Sequence, residues 1–125
     1  MIKSKEVYKL PPEKAVAAQK ISIPCVEAHH VDPNILAKLM SGTLPHDDEA
    51  IKKYLYCFTL KAGFIEEDGH IVVDKLATLL GNHPLLEEFK EALRNCNKIT
   101  KENHLETVIE MNACIRRTAP VIFTL

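Results

Sequence analysis

The chain contains four cysteines, Cys25, Cys57, Cys96 and Cys114, whose side chains could hold a metal or form cross-links. They are separated by 31, 38 and 17 residues, so the sequence has no close pair of the C-x-x-C kind that structural zinc sites use. The spacing therefore favours two disulfide bonds over a zinc site. Buried free thiols in an intracellular helical protein are the alternative reading.

Two other features of the sequence could suggest a metal-binding site. His29 and His30 are adjacent, and adjacent helical residues point about 100° apart, so a regular helix cannot turn both toward one ion. The segment around Gly69 resembles a calcium loop, but Phe64 occupies the first ligand position and Lys75 the position of the bidentate Glu. Nucleophile-elbow and phosphate-loop patterns are also missing. We predict no metal, no cofactor and no enzyme activity.

The composition indicates one globular domain. The chain has 125 residues, 46% hydrophobic and 26% charged, with a formal net charge of -1. This charge does not favour nucleic acid as a partner, and no apolar run is long enough for membrane insertion. The start of the sequence, MIKSKEVYKL, lacks the apolar stretch of a signal peptide, so the chain is either cytosolic or a mature secreted protein.

The pattern of apolar residues, prolines and glycines predicts an all-α fold of six short helices in residues 1–125, with 119–125 as an apolar tail. Pro24 should kink or break the first helix. Strand patterns are weak throughout. The remaining helices are expected to begin near Asp32-Pro33, Asp47 or Asp48, Val73, Pro84 and Thr100.

The cysteine order resembles that of insect odorant-binding proteins of the pheromone-binding and general-odorant-binding class. In that family six cysteines form three bridges: first with third, second with fifth, and fourth with sixth. Cys57 matches the third and Cys114 the sixth, so the second and fifth would fall at Lys53 and Leu105. The two absent cysteines are partners of each other, as in the four-cysteine subclass called C-minus.

The resemblance covers about residues 8–118 and implies two bridges, Cys25–Cys57 and Cys96–Cys114. It also implies an apolar cavity inside the six helices, in which Thr59 could contact a ligand hydroxyl or carbonyl. The family's pocket lining, together with a tail folded over the cavity, maps onto Ile21, Leu55, Thr59, Phe64, Ile71, Leu76, Leu80, Phe89, Leu93, Val108, Met111, Ile115, Val121 and Phe123.

The function that this resemblance implies is that of a secreted, extracellular carrier, which binds odorants, pheromone-like compounds or other lipid-like molecules reversibly. Delivery of the ligand to an olfactory receptor and a monomeric or weakly dimeric state are further expectations. A carrier of haemolymph or another secretion, without an olfactory role, is the nearest alternative. An intracellular helical interaction protein with reduced cysteines is the second.

Overall fold

The computed structural model describes residues 5–40, 43, 45 and 47–124. It confirms the six predicted helices and adds two short strands and one 3-10 turn, Thr78–Leu80. No helix in these ranges is long and apolar enough to cross a membrane. The elements in chain order are β1 (Glu6–Lys9), α1 (Pro12–His29), α2 (Pro33–Met40), α3 (Glu49–Lys61), α4 (Val73–Ala77), α5 (Leu86–Cys96), α6 (His104–Thr118) and β2 (Val121–Thr124).

The longest helix, α1, runs without a break through Pro24, so the predicted break does not occur, and the alternative of a kink stays a prediction. Proline removes the hydrogen bond that the carbonyl group of Lys20 would otherwise accept. Both residues are exposed, so water can satisfy that carbonyl group instead. The next residue, Cys25, is fully buried, and its packing holds the last turns of α1 against the rest of the molecule.

Side-chain caps determine where two of the other helices begin. Asp48 accepts a hydrogen bond from the backbone N–H of Ile51 at 2.9 Å, which confirms the predicted start of α3. The sixth helix begins later than predicted, because Asn103 and not Thr100 is its cap: the Asn103 side chain accepts from the N–H of Glu106 at 3.0 Å. The Thr100 hydroxyl group instead contacts the ring of His70.

The two strands form a small parallel sheet that the sequence did not predict. Glu6 pairs with Val121 and Lys9 with Thr124, so a segment near the start of the chain lies beside its C-terminal tail. Parallel pairing between distant segments leaves no hairpin signature in the sequence. The sheet fixes the tail against the helices that precede it.

Both predicted disulfide bonds are present, and all four cysteines are paired. Cys25–Cys57 joins α1 to α3 with Cα atoms 5.8 Å apart, and Cys96–Cys114 joins α5 to α6 with Cα atoms 5.7 Å apart. The buried side chains form two clusters, one built from α1, α2, α3 and α6, the other from α4, α5, α6 and β2. Each disulfide bond therefore anchors one cluster.

Candidate ligand cavity

Two cavities lie side by side where the two clusters meet. The larger has a volume of about 520 Å³ and the smaller about 380 Å³, both within the range of small-molecule sites. Leu55 and Val108 line the larger cavity from the first cluster, and Phe89 and Met111 line it from the second. The cavities share part of their walls, including Leu55, Phe89 and Ile115.

The larger cavity brings together eleven of the fourteen residues predicted to line a pocket. These side chains come from α1, α3, the segment between α3 and α4, and α4 to β2, so the cavity is enclosed by most of the fold. They are Ile21, Leu55, Thr59, Phe64, Ile71, Leu76, Phe89, Val108, Met111, Ile115 and Phe123.

Three predicted residues lie elsewhere. Leu80 and Leu93, with 2% and 0% of their surface exposed, pack inside the second cluster and line neither cavity. Val121 is buried, and it lines the smaller cavity but not the larger. Helical spacing marks an inward-facing side chain, but it does not distinguish the wall of a cavity from the solid packing behind it.

Several lining residues were not predicted, although their spacing carried a signal. In α1, Lys14, Ala17 and Ala18 precede Ile21 at helical intervals and form one face. Phe58 lies one turn after Leu55 in α3 and lines both cavities. Leu10, Tyr54 and Ala62 were also missed as lining residues.

Most of the uncharged polar side chains of the wall are hydrogen-bonded within the protein. The Thr59 hydroxyl group donates to the carbonyl oxygen of Leu55, one turn earlier in α3. Ser22 and Tyr54 share a hydrogen bond of 2.7 Å between α1 and α3. Burial raises the pKa of Tyr54, and the bond to Ser22 opposes this shift. The Asn112 amide donates to the carbonyl oxygen of Val108 at 3.0 Å.

An aromatic cluster lies on the side of the cavities next to the sheet. The ring of Phe123 in β2 lies edge-to-face with Tyr8 of β1, at a centroid distance of 5.9 Å, and with Phe89 of α5, at 5.6 Å. Phe123 lines both cavities, so the tail contributes directly to the wall. Within the described ranges, no three His, Cys, Asp or Glu side chains are grouped to hold a metal ion.

These features define a small helical protein with two adjoining apolar cavities and two disulfide bonds that each join a pair of helices. The model of the PBP/GOBP family matches residues 8–118, so the chain belongs to that family. Its two bridges fit the four-cysteine subclass.

The chain resembles curated members of this family at modest identity. It is 29% identical to odorant-binding protein 10 of Aedes aegypti over 94 residues, which are 74% of this chain and 66% of the relative. It is 30% identical to general odorant-binding protein 56a of Drosophila melanogaster over 101 residues, 77% of this chain and 68% of the relative. The matches thus span about two thirds of these relatives.

Solved structures share the fold. The fatty acid binding protein OBP56a from the oral disk of the blowfly Phormia regina superposes with a TM-score of 0.74 at 22% identity, covering 89% of this chain and 96% of that one. Odorant binding protein 7 from Anopheles gambiae, with four disulfide bridges and in complex with an azo compound, gives 0.73 at 22% identity, covering 86% of each chain.

Proposed function

We propose that this protein is an extracellular carrier that binds small hydrophobic molecules reversibly in the two adjoining cavities. The observation that carries the proposal is an apolar interior of ligand size, left open between two cross-linked clusters of helices. A protein of this size gains stability by filling its core with side chains. An unfilled apolar cavity of ligand size therefore indicates a binding site.

Several findings support this function over the intracellular alternative. Family membership favours a carrier, and the Anopheles relative is described in complex with an azo compound. The paired cysteines suit an oxidising compartment, where disulfide bonds persist. We extend the proposal to odorant, pheromone-like and other lipid-like ligands, carried by a monomer or weak dimer and delivered to a receptor where the role is olfactory. A haemolymph or secretion carrier would use the same cavity.

Titration with N-phenyl-1-naphthylamine, a fluorescent apolar probe, tests the proposed site. We expect a dissociation constant of about 1 μM, on the order of -8 kcal/mol. Ile115→Trp should weaken probe binding at least about tenfold, because the larger side chain fills space shared by both cavities.

The matched control is Ile23→Trp, which places the same substitution on an exposed part of α1 that lines neither cavity. It should bind the probe like the wild type. Equal affinity in Ile115→Trp, at unchanged helix content, would place the ligand elsewhere. A natively folded wild type that binds no probe would overturn the proposed function, and four reactive thiols in the unreduced, denatured protein would overturn the extracellular assignment.

A further inference from the structure

The charged residues of the two cavity walls all carry the same sign. Lys5, Lys14, Lys75 and Arg116 contribute to the walls, and no Asp or Glu is among the lining residues of the described chain. The whole sequence has 17 acidic and 16 basic residues, so composition does not account for this bias. The field in the cavities is therefore positive, and it favours a ligand with a negative group.

Arg116, in the last turn of α6, is the cation best placed to meet such a group. It lines both cavities, whereas Lys14 and Lys75 line only the larger and Lys5 only the smaller. No carboxylate in the described part of the chain pairs with its guanidinium group. By contrast, the nearby basic residues Lys90 and Arg94 have acidic partners, Asp74 and Glu91.

Two other side chains of this wall, one cation and one neutral hydrogen-bond donor, accompany Arg116. The ammonium group of Lys5 donates to the backbone carbonyl of Arg116, so both cations lie at the same end of α6. Asn112 is one turn before Arg116 and lines both cavities. One amide hydrogen of Asn112 is bound to Val108, and the second is free to reach a ligand oxygen.

The chemistry of these groups selects a carboxylate. A guanidinium group presents paired N–H donors that match the two oxygens of a carboxylate, and such pairs discriminate strongly in a partly desolvated site. Arg116 is exposed although it lines both cavities, so a charged pair formed there avoids the cost of full burial. Partial burial lowers the pKa of both Arg116 and Lys5, in agreement with their position at the rim.

We propose that the cavities prefer linear apolar carboxylates, and that Arg116, assisted by Asn112 and Lys5, holds the carboxylate group while the hydrocarbon chain occupies the apolar interior. This inference rests on the proposed carrier function and names its ligand class. The part of the larger cavity around Thr59 remains available to the distal end of the hydrocarbon chain.

The test compares two ligands that differ only in the head group, decanoate and decan-1-ol, near pH 7.5, where the carboxylic acid is ionised. Each displaces N-phenyl-1-naphthylamine from the wild type and from two variants. Arg116→Gln removes the proposed partner. Arg117→Gln, the matched control, removes the same charge from the next residue, which is exposed and lines neither cavity.

We expect the wild type to bind decanoate about tenfold more tightly than decan-1-ol, with a preference that shrinks as salt is raised. Arg116→Gln should abolish the preference by weakening decanoate far more than decan-1-ol, and Arg117→Gln should retain it. Equal wild-type affinities would overturn this inference and leave the carrier function intact. A preference that survives Arg116→Gln, or that is lost equally in Arg117→Gln, would overturn the assignment to Arg116. Failure of both ligands and of the probe to bind would overturn the carrier function itself.

Discussion

The hydroxyl group of Thr59 illustrates how the protein limits the polar contacts of its own cavity. The sequence predicts that Thr59 could meet either a hydroxyl or a carbonyl group of a ligand. Its hydrogen is, however, donated to the carbonyl oxygen of Leu55 in the same helix. Only the oxygen lone pairs remain for a ligand, so a ligand donor such as an alcohol is favoured over an acceptor such as an aldehyde.

Thr59→Val should therefore weaken an alcohol selectively. We expect a loss of about 1 kcal/mol for decan-1-ol, the net value of one hydrogen bond, and little change for decanal. Competitive displacement of the fluorescent probe measures both affinities. Equal losses for the two ligands would show that Thr59 contributes packing and no hydrogen bond to the ligand.

At the residue scale, most of the apolar wall residues could be predicted, whereas the wall residues Arg116 and Asn112 could not. The helical stripes and the family resemblance indicate which apolar side chains face inward, and eleven of the predicted positions line the larger cavity. Leu93 satisfies the same pattern and lies in solid packing instead. Arg116 and Asn112 escaped notice because polar residues near a helix end are usually solvated, and only the packed structure shows that they border a cavity.

At the scale of elements, a partly buried ion pair joins α3 to α6. The ammonium group of Lys52, with 8% of the residue surface exposed, lies 2.6 Å from the carboxylate of Glu106 and 3.0 Å from that of Glu49. Hydrogen bonds to Glu106 and then Glu49 hold the pKa of Lys52 well above its ordinary range. Lys52 and Glu106 are the immediate neighbours of Lys53 and Leu105, the positions that the family resemblance assigns to the absent bridge. We expect this pair to perform part of the cross-linking that the third disulfide provides in six-cysteine relatives.

A double-mutant cycle of Lys52→Met and Glu106→Gln should reveal a favourable coupling in the free energy of unfolding. Because the pKa of Lys52 is raised in the folded state, its stabilisation is fully present below the unfolded lysine pKa of about 10.4 and disappears as the pH rises through the folded value. Lys52→Met alone should lower the melting temperature at neutral pH.

Lys53→Met is the control for this cycle, since it makes the same change at the next residue, which is exposed. It should leave the melting temperature nearly unchanged and show no coupling to Glu106. If both lysine variants behave alike, the ion pair does not link the two helices energetically.

The helices themselves were largely predictable, because proline, glycine and capping residues mark their ends in the sequence. The sheet was not, since β1 and β2 each have only four residues and are stabilised by a distant partner and by the aromatic cluster. The late start of α6 has a similar origin: Thr100 and Asn103 are both suitable caps, and the contact between Thr100 and His70 determines which one is used.

At the scale of the whole molecule, the tail contributes Val121, Ile122 and Phe123 to the cavity walls, and of these only Phe123 lines both cavities. Phe123 makes two edge-to-face contacts, each worth about 0.5–1.5 kcal/mol beyond the area that it buries. Phe123→Ala should therefore let the tail open more often and should raise the rate of ligand release roughly tenfold. Stopped-flow dilution of the protein–probe complex measures this rate.

Val7→Ala is the matched control, because Val7 lies in the same sheet, is 65% exposed and lines neither cavity. Release from this variant should be as slow as from the wild type. If Phe123→Ala also releases the probe at the wild-type rate, the ligand leaves by a route that does not involve the tail.

The pairing of β1 with β2 also determines when the cavity wall is completed during folding. Residues near opposite ends of the sequence must meet, which is the most costly loop closure available to this chain. The helices and their nearer contacts can thus assemble around an interior that is still open, and a carrier folding in the presence of its ligand can be loaded before its last strand is in place.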